Sequence, residues 1–178
     1  MTFQATLQGW HDFYMVAGTA AASLVGLLFV GLSLHLRTVV SRSDVQALAR
    51  VTLTSFGLTL LIALFLVIPG ETAATTGWQL IALGVVACAL IVRSVIAGVR
   101  GHAHTIGFRR LTRRFGLTVL AFLGLIATGG MFAAGAYSAG LNWLVGVVVV
   151  LLLVSLRNTW DLLVSVGAAT LGVQGDER

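Results

Sequence analysis

Residues 115–156 read FGLTVLAFLGLIATGGMFAAGAYSAGLNWLVGVVVVLLLVSL, and apart from Tyr137 nothing in them ionises. As one helix at ~1.5 Å per residue the stretch would run ~60 Å, about twice the ~30 Å hydrocarbon core of a bilayer. It must therefore turn back midway. Gly135-Ala136-Tyr137-Ser138-Ala139-Gly140-Leu141-Asn142 holds the turn-permissive residues and a Tyr suited to an interface, which predicts two spans, 115–136 and 141–160.

Working outward, residues 13–36 contain no Asp, Glu, Lys or Arg and form a first predicted span. Residues 51–70 lie between Arg50 and Glu71 and end on Pro69-Gly70, which gives a second. Residues 77–99 form a third, interrupted by Arg93 close enough to its end to snorkel toward headgroups. A polar tail, 174–178, closes the chain. The expectation is an all-α fold: one transmembrane domain over 1–178, a polytopic membrane helical bundle of about five transmembrane helices.

Composition agrees with that reading. At 58% hydrophobic and 10% charged over 178 residues, the chain has too little polar surface to clothe a soluble globule. No short apolar core follows a basic start, so a cleaved secretory leader is not expected. Cys88 stands alone, which leaves no disulfide framework. All eleven basic residues are Arg, and the net charge of +5 does not imply nucleic acid, because the arginines cluster between apolar spans. Arg37, Arg42 and Arg50 join spans one and two; Arg100, Arg109, Arg110, Arg113 and Arg114 join spans three and four. Residues 1–12, 70–77 and 137–142 contain neither Lys nor Arg. The positive-inside rule then places the N-terminus outside and the C-terminus in the cytoplasm of a bacterial plasma membrane. Trp10, Tyr14, Trp78, Tyr137 and Trp143 fall at expected outer ends, with Trp160 at an inner one.

Phe56-Gly57-Leu58-Thr59 opens span two as Phe115-Gly116-Leu117-Thr118 opens span four; Trp78 and Arg93 punctuate span three as Trp143 and Arg157 punctuate span five. The pattern fits a duplicated two-helix hairpin plus one helix, a 1+2+2 arrangement. Chance likeness between low-complexity apolar segments gives the same pattern.

Several residues could carry function. Gly18, Ala22 and Gly26 place small side chains on one face of span one, for packing within the chain or for an oligomer interface. Thr52, Ser55 and Thr59 form a hydroxyl stripe on span two, which either lines a hydrated path or bonds back to carbonyls of its own helix. Arg93, Arg157 and Asp161 are the charges nearest the hydrocarbon; they are pathway candidates if helices converge there, and snorkelling or an Arg157–Asp161 pair is the structural alternative. His35, His102 and His104 share the expected cytoplasmic side and are a weak metal set without a Cys or a placed carboxylate. Phe108-Arg109-Arg110-Leu111-Thr112-Arg113-Arg114 suits anionic headgroups. No phosphate loop, H-E-x-x-H or G-x-S-x-G occurs, so neither enzyme activity nor a cofactor is expected.

Trp10-His11-Asp12-Phe13, followed by the run from Gly18-Thr19-Ala20-Ala21-Ala22-Ser23 to Gly31-Leu32-Ser33-Leu34-His35, resembles the start of small actinobacterial multi-pass membrane proteins. Some of these are labelled modulators of a membrane-bound AAA protease. The resemblance covers span one and its lead-in and implies a regulator with a larger membrane partner. The leading expectation from the residues is a homo-oligomer forming an ion or small-solute conduction pathway. A non-conducting partner is the alternative, and a metal-binding protein or enzyme the third.

Overall fold

Among the described residues, five helices are long and apolar enough to cross a membrane, the architecture of a multi-pass membrane protein. The computed structural model describes residues 3–41, 43–101 and 108–175. In chain order the helices are α1 (Phe3–Gln8), α2 (His11–Leu34), α3 (Leu36–Ser41), α4 (Ser43–Val67), α5 (Ala73–Gly101), α6 (Phe108–Ala133) and α7 (Tyr137–Gly175). Among the described residues every regular element is helical.

Each of α4, α5, α6 and α7 packs on its neighbour in a closed ring of four, with α4 also against α7. α2 lies outside the ring, mainly on α4. Two hairpins thus make the bundle and one helix flanks it. The turns of those hairpins match: Gly70 after α4 and Gly135 after α6 have φ of +84° and +83°, the left-handed conformation glycine reaches without strain.

The second turn is shorter than the sequence implies. Ala136 N–H donates to Met131 O at 2.9 Å and Gly135 N–H to Phe132 O at 3.0 Å, the paired bonds of a Schellman ending. One left-handed glycine suffices to reverse the chain, so the predicted loop over 137–142 is instead the opening of α7. That helix runs on past residue 160 to Gly175. At the other hairpin, Thr72 Oγ1 accepts from Thr75 N–H and Thr75 Oγ1 from Thr72 N–H, a reciprocal cap that starts α5 at Ala73, ahead of the predicted 77.

α5 and α6 approach closest. A Cβ on Gly129 would lie 2.6 Å from Gly77 O and 3.0 Å from Ile81 N, and one on Gly77 would lie 2.8 Å from Gly129 O. Backbones touch there, which gains dispersion contacts in a setting where apolar burial against lipid gains little. The middle of the ring is filled by Ile62, Leu80, Phe122, Leu125, Leu144 and Leu151, all fully buried. Outward, Val16, Leu27, Leu34, Leu120 and Leu153 are more than half exposed, an apolar exterior of the kind lipid covers.

α1 closes the end away from the arginine-rich connections. Phe3 meets Phe132 and Tyr137 edge to face, with ring centroids 5.8 and 5.7 Å apart, and Gln4 Nε2 donates to Glu71 O.

Candidate functional site

The most distinctive surface is the outward face of α2. Only 22% of its apolar stretch is buried, against 33–50% for the other four spans. Met15, Thr19, Ala22, Gly26, Phe29 and Ser33 are all exposed, and their spacing alternates between four and three residues. That is a seam of period 3.5, the repeat that keeps one helix face against another helix. Beside it lies a groove of about 320 Å³ between α2 and α4, lined by Tyr14, Thr19, Ala22 and Ser23 on one side and Leu60 and Leu64 on the other.

The predicted small-residue stripe divides across this surface. Successive residues four apart drift ~40° around a helix, so Gly18 and Gly26 point ~80° apart. Gly18 is buried against α4, where a Cβ would sit 2.8 Å from Ala63 Cβ; Gly26 has nothing within 4 Å of that position. Gly18 therefore serves packing within the chain, and Ala22 and Gly26 face outward. The hydroxyls of Thr19, Ser23 and Ser33 donate to Met15 O, Thr19 O and Val30 O, so the seam carries polar atoms without leaving donors unpaired. Tyr14, expected at an interface, is buried at the edge of the groove with its hydroxyl unpartnered.

The span-two hydroxyls lie inside the bundle. Thr52, Ser55 and Thr59 are fully buried and donate to Leu48 O, Val51 O and Ser55 O at 2.8, 3.0 and 3.1 Å. Of the two readings open in the sequence, these bonds are those of the second: the protons of the stripe are held by carbonyls of its own helix.

Arg93 and Arg157 are exposed on α5 and α7, which stand diagonally across the ring. They point away from the bundle interior, so one chain does not converge them into a constriction. Asp161 is half-buried one turn beyond Arg157. Arg109, Arg110, Arg113 and Arg114 fall on the first turns of α6.

His35 ends α2, half-buried, with its backbone N–H on Leu32 O at 3.3 Å. His102 and His104 lie outside the described residues. Among the described residues no group of three or more His, Cys, Asp or Glu side chains comes together.

No protein-family model, curated protein or solved structure matches the chain.

Sequence reasoning missed a second polar set: Thr118 on α6 with Ser155 and Asn158 on α7, all buried and each with an unpartnered atom. The i, i+3 spacing of Ser155 and Asn158 was the available signal, hidden beside the more conspicuous Arg157 and Asp161.

Proposed function

We propose that this chain is a non-catalytic membrane protein that works as a homo-oligomer, assembled through the outward seam of α2. The observation that carries the reading is that seam: six exposed residues at coiled-coil spacing on the least buried of the five spans. Two copies inserted with the same topology bring their α2 helices together parallel, so Ala22 meets Ala22 and Gly26 meets Gly26 at one depth. Small side chains at that point permit a close crossing, and Met15 and Phe29 flank it as larger knobs. The arginines of the α5–α6 connection supply a positive end suited to anionic headgroups, with the N-terminus outside and the C-terminus in the cytoplasm.

A second reading is conduction. Its support is that Thr19 and Ser33 place hydroxyl oxygens on the same exposed seam, with Ser23 beside it, so a path would run between copies and not through a bundle whose middle is filled by apolar side chains. The resemblance of the first span to small actinobacterial membrane proteins, some of them labelled modulators of a membrane-bound AAA protease, supports a third reading in which the seam takes a helix of a larger complex.

The test is native mass in a mild detergent. The wild type should run as a dimer or larger ring, and Gly26→Leu as a monomer, while Val85→Leu on the exposed face of α5 leaves the mass unchanged. A monomeric wild type sinks the homo-oligomer. Assembled protein that passes ions in liposomes, with flux altered by Thr19→Val and Ser23→Ala, moves the reading to conduction.

A further inference from the structure

Near the arginine-rich end, three buried side chains have hydrogen-bonding atoms with no protein partner: Thr118 Oγ1, Ser155 Oγ and Asn158 Nδ2. Thr118 and Ser155 are 0% exposed and Asn158 is 3%. Buried polar atoms in native folds are almost always bonded, to protein, water or an ion, so three together need a common explanation.

Their levels along the bundle lie within about a turn and a half of one another. α6 and α7 run antiparallel, with Gly140 against Phe132 and Gly124 against Val147. Moving six residues from Gly124 to Thr118 on α6 corresponds to moving from Val147 to Leu153 on α7, within two residues of Ser155. Asn158 follows Ser155 at i+3, on the same face. α4 reaches the same depth. Its Ala63 meets Gly18 of α2, while Leu163 of α7 meets Gly31 of α2, which sets Ser55 and Asn158 within about a turn of each other. The protons of Thr52 and Ser55 are already committed to Leu48 O and Val51 O.

We propose that Thr118, Ser155 and Asn158 form a binding site for one small hydrogen-bond acceptor, between α6 and α7 and facing α4. An amide nitrogen only donates, and the two hydroxyls each have a proton to give. The guest must therefore accept. With all three side chains buried, the guest must also be small, and two species meet both requirements: a water molecule and a halide ion. This site is separate from the α2 seam, and its loss leaves the oligomer reading untouched.

The experiment uses the full chain in lipid nanodiscs with side-chain amide nitrogen of asparagine labelled. Sodium chloride is titrated in place of sodium gluconate while the Asn158 resonance, assigned by its loss in Asn158→Leu, is followed by NMR. A saturable chloride shift identifies a halide site, and Ser155→Ala should then weaken it about tenfold, the loss of roughly one charge-assisted hydrogen bond. No chloride shift, with a long-lived water cross-peak to the Asn158 amide that Ser155→Ala removes, identifies water as the guest. Thr118→Ser keeps the hydroxyl and should retain whichever signal the wild type shows, which separates loss of the site from loss of fold. An Asn158 amide with neither a chloride shift nor a water cross-peak overturns the proposal.

Discussion

At Gly77 and Gly129 the α5 and α6 backbones leave no room for a methyl group. Gly129→Ala would drive a Cβ to 2.6 Å from a carbonyl oxygen that belongs to the facing helix and cannot rotate away. Overpacking of that kind costs about 1–3 kcal/mol. Gly130 is the internal control, because a Cβ there meets nothing within 4 Å. Gly130→Ala should be neutral or gain up to ~1 kcal/mol from helix propensity. Thermal unfolding in one detergent checks the pair: equal effects from both substitutions would mean the helices do not touch at Gly129. The sequence did not single out this contact. With 21 glycines in the chain, small residues recur in most of the apolar segments, and the regular run at Gly18, Ala22 and Gly26 stood out instead. In the fold that run is split between packing and surface. The hydroxyl stripe on α4 was legible as a stripe but not as a filled one, since a Ser or Thr bonded to its own helix and one facing water have the same sequence spacing.

The helices themselves were legible because five apolar stretches of bilayer length have few other ways to fold. Their ends were not. The predicted turn covered 135–142 since all the permissive residues lie there, yet the chain needs only the left-handed Gly135 and resumes helix at Tyr137. Two hydrogen bonds from Gly135 and Ala136 decide the matter, and they depend on one φ angle. Gly135→Ala keeps open space around the new methyl but forces an L-residue into the left-handed region, at about 1–2 kcal/mol. Ala134→Gly, next to it and outside that region, should leave the turn intact. Proteolysis and unfolding of the two variants, compared in the same detergent, tell whether the turn conformation or the composition of the segment sets the hairpin; matched destabilisation would favour composition.

The two hairpins share their left-handed glycine, and Gly70 precedes Trp78 by the same number of residues as Gly135 precedes Trp143. Trp78 and Trp143 are both about two-thirds exposed. Between the Phe-Gly-Leu-Thr quartet and the turn, however, α6 carries several residues more than α4, so any common origin has been altered on that helix. A ring built from two like hairpins closes on itself. The fifth long helix can only flank it, and that leaves α2 with an unshared face.

Charge is as lopsided as packing, and it bears on how the bundle sits in a bilayer. By chain order every arginine from Arg37 to Arg157 falls on the side where α2 ends and α4 begins, while Asp12 and Glu71 are on the other. Arginine-rich connections stay on the cytoplasmic side because translocating them is costly, so the turns at Gly70 and Gly135 should face outward. In a Cys88→Ala background, Ala74→Cys and Ser138→Cys, both exposed at those turns, should react in intact cells with a membrane-impermeant thiol reagent. Ser41→Cys, exposed at the other end, should react only after permeabilisation. The opposite labelling would invert the bundle and turn its arginines outward. It would also remove the reason for assigning them to cytoplasmic anionic headgroups, while parallel pairing through α2 would survive, since two copies share a topology whichever way they insert. A mixture of both patterns at every site would instead mean dual insertion, and only then would antiparallel pairing of the seam, with Met15 of one copy nearer Ser33 of the other, come into play.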